Sequence, residues 1–271
     1  MKVIVGVAFS RAKGDLKKLN LEASADVQTF IDEEKPDVVV HCAAERRPDV
    51  VEKSPENAKK LNVQVPGLLA DLTNDRGILL IYISTDYVFD GTKPPYDVRD
   101  KANPLNTYGQ TKYDGELEVK KFNSSAIILR VPILYGATEY NGESAVNALI
   151  DSVKNVKDTS MDDYAIRYPT NVADIARVIK DLTLKVRQEK VFISGILHFS
   201  GEEKYTKYEM CKTIAQILGT SVDHLKPVSE APNDGTVRPY NCHLSNRCLH
   251  GIGIDTRCVK FSDWMQNWLK Q

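Results

Sequence analysis

The sequence predicts an α/β fold, a doubly wound parallel sheet carrying a smaller C-terminal lobe. Short Val- and Ile-rich runs recur through the first half of the chain, helical patterns separate them, and this rhythm changes after Ile133. The runs fall at residues 2–9, 36–43, 78–85 and 126–133, each of a length that suits a strand covered on both faces. Between them, Ser24 is placed to cap a helix reaching Lys35, a longer helix runs from about residue 55 towards 74, and a third covers residues 107–122. Strand and helix in alternation imply parallel strands joined by right-handed crossovers. Beyond Ile133 the spacing predicts helices at 142–155 and 171–188, a strand at 191–200 and a helix at 205–218. A last helix covers residues 261–271, where Trp264 and Trp268 form an i, i+4 aromatic face packed on the domain.

Composition narrows the function classes. With 271 residues, 36 basic against 37 acidic and a net charge of −1, there is no electrostatic case for nucleic acid or an anionic membrane. The default ligand is a small molecule or a protein. No apolar run approaches the roughly 18 residues that cross a bilayer, and residues 1–20 are too charged for a secretion signal. The expected location is the cytoplasm, with the nucleus also open. The five cysteines, Cys42, Cys211, Cys242, Cys248 and Cys258, are odd in number and lack metal-type pair spacing, so they read as reduced thiols with neither disulfide framework nor metal site.

The chemical signal lies in Tyr108-Gly109-Gln110-Thr111-Lys112, which at helical spacing puts a phenol and an ammonium one turn apart on one face. An ammonium beside a phenol favours phenolate, and the expectation is that Lys112 lowers the Tyr108 pKa. Tyr208 and Lys212 repeat the spacing and read as helix surface. Context separates the two pairs. Thr85 ends the strand before the Tyr108 helix, at the carboxyl edge of the sheet where open α/β folds bind ligands, so its hydroxyl can share a substrate oxygen with Tyr108. Arg11 follows the first run and can pair with a ribose 2′-phosphate, where a site for the unphosphorylated dinucleotide would want an acid. Arg46 and Arg47 precede Pro48 on an extended segment, so they point apart: one serves the pyrophosphate, the other faces solvent or a partner. Asn62 reads as a helix-surface amide.

In these contexts Thr85, Tyr108 and Lys112 resemble the catalytic triad of the extended short-chain dehydrogenase/reductase superfamily. The stretch ISTDYVFDGTKPPY, followed by NPLNTYGQTKYDGE, is similar to the dTDP-4-dehydrorhamnose reductase branch. Inside that branch HCAAERRPDVVEKSPENAKKLNV, with its paired Arg46 and Arg47, resembles the regulatory beta subunits of methionine adenosyltransferase. RVPILYG at 130–136, GEEKYTKYEM at 201–210 and RPYN at 238–241 keep the same order, so the resemblance covers nearly the whole chain. It implies a Rossmann-like fold, NADP as cofactor, and the methionine adenosyltransferase catalytic subunit as partner in a hetero-oligomer. Regulation of S-adenosylmethionine synthesis, not catalysis, is the implied role. The implied NADP contacts are Phe9, Ser10, Arg11, Asn20, Leu21, Cys42, Arg46, Tyr108, Lys112 and Leu134. Residues 1–135 correspond to the NADP-binding part and 136–271 to the smaller lobe, with elements shared between them.

The pattern breaks near the amino terminus. No G-x-x-G-x-x-G follows the first run, and Gly6 and Gly14 do not supply it. Aligned by the motifs above, residues 1–9 match the family's second strand, so its first strand, glycine loop and helix are missing, and the expectation is a shortened record. Without that loop to hold the pyrophosphate, the chain as written is expected to bind NADP weakly; micromolar binding in a titration would contradict this. The carboxyl terminus also stops short of the family's tail. Three readings follow: the regulatory subunit, an NADPH-dependent dTDP-4-dehydrorhamnose reductase with Tyr108 as proton donor, and a shortened product without function. The intact Thr85, Tyr108 and Lys112 do not decide between the first two, because a protein can keep such a set for binding cofactor alone.

Overall fold

The structure, a computed structural model, describes residues 4–231 and 235–270. Val7–Ala8 (β1) pairs in parallel with Lys17–Lys18 (β2). The strand expected over residues 2–9 is therefore much shorter among the described residues: residues 1–3 lie outside them, Ile4 and Val5 are exposed, and the ladder joins Val7 to Lys17 and Ala8 to Lys18. Helix α1 spans Ser24–Glu34. Its cap position is the extended Ala23, so Ser24 is the first helical residue and not the cap. Val38–His41 forms β3, and Pro48–Lys53 and Pro55–Lys59 form α2 and α3. A π-helical turn at Lys60–Gln64 leads into α4, Val65–Asp75, so the one helix expected over 55–74 contains a local widening. Then come β4 (Leu79–Thr85), a 3₁₀ turn at Asp86–Val88, α5 (Thr107–Phe122), β5 (Ile127–Val131) and β6 (Leu134–Tyr135).

In the second half, the helix expected over 142–155 is shorter: a 3₁₀ turn at Asn141–Glu143 precedes α6, Ala148–Lys154. Thr159–Asp162 is β7, Thr170–Asn171 is β8, and α7 runs Val172–Arg187 from an Asn171 side-chain cap. The strand expected over 191–200 is regular only at Gly195–His198 (β9), because Val191 and Phe192 ahead of it are exposed. Helix α8, Lys207–Leu218, starts from a reciprocal Thr206–Glu209 capping box and ends at left-handed Gly219. Leu225–Val228 (β10), Arg247–Gly251 (α9) and Phe261–Trp268 (α10) complete the chain.

The main sheet has the order β3-β4-β5-β9, all parallel. Strand β9 comes from the second half, so the two halves share the sheet. Among the described residues, β1 and β2 form a separate pair. Alternation along β4 feeds two cores: Leu80 and Tyr82 join the layer under α4 and α5, while Leu79 and Ile81 join the layer under α7. A third cluster gathers α6, α8 and α10 around Met210, Ile214 and Phe261, and Trp264 and Trp268 pack against it with rings stacked at 5.2 Å. One polar group crosses this apolar interior. Arg130 on β5 makes a bidentate pair with Glu116 on α5 (2.6 and 2.8 Å), both fully buried, and Ser84 adds a hydrogen bond to the same carboxylate.

Candidate functional site

The carboxyl ends of β3 and β4 and the start of α5 meet at one crevice. Asn106 caps α5 by accepting the Gly109 N–H at 2.8 Å, which fixes where the first turn begins. Gly109 then lies against the 3₁₀ turn so closely that a Cβ would stand 2.2 Å from the Tyr87 carbonyl. Gly115 is equally required, since a Cβ there would meet the Asn62 carbonyl at 2.3 Å and the Tyr82 hydroxyl at 2.7 Å. These two glycines set α5 directly on the strand end and the π-helical turn. Tyr108 stands edge-on to Tyr87 with ring centroids 5.9 Å apart. Lys112, buried, donates to the Ile83 carbonyl at 2.8 Å and lies over the Tyr82 ring at 4.1 Å. Thr85 accepts the Tyr87 N–H and donates to Asp86 at 3.0 Å. The sequence-predicted trio is thus brought together.

Its electrostatics differ from the expectation. Burial pushes the Tyr108 phenol well above its ordinary range, opposed by the Thr85 hydroxyl beside it and more weakly by Arg46. Lys112 donates to the Ile83 carbonyl, and burial pulls Lys112 itself down to about 7 despite Glu116 one turn on. Two groups overlooked in the sequence belong to the same site. Asp86 is pushed up to about 7 by burial, with the Thr85 hydrogen bond and Arg167 opposing. Its adjacency to Thr85 was the available signal. His41 is pulled down to about 3 by burial, then by Lys112, and its Nε2 has no partner among the described residues. Behind Asp86, Arg167 pairs with Asp162 at 2.7 Å, and Lys207 is drawn down to about 8 by burial and by Arg167.

Asn62 corrects a second expectation. It is fully buried on the π-helical turn, accepts the Glu45 N–H at 2.9 Å, donates to the Glu45 carbonyl at 3.0 Å and donates to Thr111 at 3.2 Å. It clamps the segment after β3 from within the π-helical turn. That segment carries exposed Cys42 and the two arginines. They do point apart: Arg46 donates to the Glu143 carbonyl at 2.5 Å, whereas Arg47 forms a two-point pair with Glu45 at 3.0 Å.

The remaining sequence-predicted contacts sit further along the rim. Phe9, Ser10 and Arg11 follow β1 on the surface, with Lys18 over the Phe9 ring at 5.9 Å and Arg11 paired with Glu143. Asn20 closes a local turn by accepting the Glu22 N–H, and Leu21 packs on the first core. Leu134 in β6 packs on the second core while its carbonyl accepts the Ser144 hydroxyl. Arg11 and Arg46 reach Glu143 from separate segments, Arg11 at its carboxylate and Arg46 at its backbone carbonyl, and Arg46 also lies near enough to Tyr108 to act on its phenol. Among the described residues no cluster of His, Cys, Asp or Glu is arranged to hold a metal, and no helix is long and apolar enough to cross a membrane.

Residues 4–268 match the family described as RmlD substrate binding domain. Methionine adenosyltransferase 2 subunit beta of Rattus norvegicus is 45% identical over 93% of this chain and 76% of its own length. The protein of the same name from Danio rerio is 40% identical over 98% of this chain and 82% of its own. Among solved structures, a dTDP-4-dehydrorhamnose reductase from Bacillus anthracis in complex with NADP superimposes with a TM-score of 0.81 at 27% identity, over 93% of this chain and 86% of that one.

Proposed function

The chain belongs to the RmlD substrate binding domain family and to the family of methionine adenosyltransferase 2 beta subunits, and on that premise we propose that it is a regulatory subunit. It binds the methionine adenosyltransferase catalytic subunit in a hetero-oligomer, takes NADP in the crevice, and modulates S-adenosylmethionine synthesis without turnover of its own. The extent of the likeness to the beta subunits carries this reading. NADP is favoured over NAD because the segment after β1, which the family likeness assigns to the adenosine ribose, carries Arg11 and not an acid of its own. The test is light scattering after gel filtration of the chain mixed with the catalytic subunit and NADPH. A joint, heavier complex is expected. Separate elution together with an unchanged rate of S-adenosylmethionine synthesis would overturn the reading.

A second reading keeps the trio as chemistry, because Thr85, Tyr108 and Lys112 are held within one crevice. In it NADPH, when bound, would supply the hydride for reducing a 4-keto sugar nucleotide, while Thr85 would hold the carbonyl oxygen and Tyr108 would hand it a proton. Tyr108→Phe would then abolish NADPH oxidation in the presence of the sugar nucleotide while leaving cofactor binding intact. If wild type and variant consume NADPH equally slowly, the second reading falls.

A further inference from the structure

The segment 136–144 is anchored at its base and reaches across the rim. Ser144 donates to the Leu134 carbonyl at 2.9 Å, Asn147 to the Gly136 carbonyl at 2.8 Å, and Asn141 to Asp151 at 2.7 Å. From these anchors the strap contacts both cationic segments of the crevice. The Glu143 carboxylate pairs with Arg11 and also accepts the Glu139 N–H at 2.8 Å, the Glu143 carbonyl accepts from Arg46 at 2.5 Å, and Glu139 pairs with Lys13 at 2.6 Å. The Glu143 side chain is only 18% exposed against 67% for Arg11. The carboxylate is therefore tucked beneath the guanidinium rather than waving beside it.

We propose that Glu143 is a built-in competitor for the phosphate of the dinucleotide, so that nucleotide enters by displacing the strap's carboxylate from Arg11. This rests on the reading that the crevice takes NADP. A carboxylate and a phosphate repel each other, and the Arg11 Nη1 that meets the Glu143 carboxylate serves one of them at a time. Coupling of this kind is reciprocal: removing the carboxylate tightens nucleotide binding, and nucleotide loosens the strap. Only the 2′-phosphate meets Arg11 in this arrangement, so the effect separates NADPH from NADH. The Arg46 contact goes to a backbone carbonyl and survives a side-chain change at Glu143.

The experiment is a fluorescence titration of the full chain with NADPH and with NADH, in wild type, Glu143→Gln, Arg11→Ala and the double variant, each checked by circular dichroism for a native fold. Glu143→Gln should tighten NADPH by roughly threefold to tenfold, the range expected for removing one competing surface charge, and NADH by under about twofold. The gain should vanish in the Arg11→Ala background. Hydrogen exchange of 137–144 should speed up when NADPH binds wild type. NADPH binding that Glu143→Gln leaves unchanged or weakens overturns the competitor alone. Absence of NADPH binding in every folded variant overturns both the competitor and the NADP reading beneath it.

Discussion

The four-stranded sheet and the segment of residues 4–22 are held by opposite means. In the sheet, β4 and β5 are buried on both faces, and the Arg130–Glu116 pair is satisfied from every side: Ser84 on the carboxylate, Phe89 at 5.0 Å beneath the guanidinium, and His198 at 3.4 Å. The segment 4–22 contains two strands of two residues, leaves Ile4, Phe9 and Leu16 exposed, and reaches its neighbours through Arg11–Glu143, Lys13–Glu139 and Lys17–Glu34, with Leu19 as its buried anchor. Thr85, Tyr108 and Lys112 stand on the first region. Phe9, Ser10 and Arg11 stand on the second. The part of the crevice built on the sheet is preorganised, whereas the part built on residues 4–22 is set by surface charges, which salt screens.

That contrast can be broken by substitution. The largest effect should come from Glu116→Ala, which leaves Arg130 as an uncompensated buried cation and should cost roughly 3–5 kcal/mol in urea unfolding. A loss below about 1 kcal/mol, the scale of a surface pair, would mean that the sheet does not depend on the pair. Asn62→Ala comes next. It strips both partners from the Glu45 backbone and should cost roughly 1–3 kcal/mol, with faster proteolysis of the segment carrying Arg46 as the sharper readout. Asp86→Asn tests the crevice by pH. Unfolded, Asp86 ionises near 3.8; folded, near 7. Between those values the native state holds a proton that the unfolded chain has lost, so this group makes stability fall as pH rises through the window. His41 acts in the opposite sense between about 3 and 6.5, so the comparison of variant with wild type isolates Asp86, and the variant should lack its share of the decline. The smallest effect belongs to Lys13→Ala, under roughly 1 kcal/mol. Should it rival Glu116→Ala, residues 4–22 are no weakly held piece.

Much of the sheet was legible because β4 and β5 bury both faces and so read as unbroken apolar runs. Tyr108 and Lys112 were legible from helical spacing and Thr85 from its place at a strand end. What escaped depended on contacts distant in sequence or on local backbone geometry. Asn62 looked like surface because an amphipathic pattern assumes a regular helical turn, and a π turn breaks that assumption. The raised Tyr108 pKa escaped because spacing gives proximity but not burial, and burial is the largest influence on the phenol. The short β7 and β10, paired with each other from Thr159 and Leu225 onward, have too few residues and too much exposed surface to announce a strand. Arg11 was read as a partner for a ribose phosphate, and nothing near it in the chain names Glu143 as the group it meets here.

Strand β9 has a consequence for how the chain is made. Its partner β5 is complete at Val131, yet β9 begins only at Gly195. On a ribosome adding roughly 5–20 residues each second, the β5 edge waits several seconds with its apolar residues and ladder groups unmatched while the intervening segments emerge. Glu116 precedes Arg130 in the chain and can neutralise it at once; the open edge has no such early partner. Chaperone engagement of nascent chains should therefore peak after Val131 has left the exit tunnel and fall once His198 follows it.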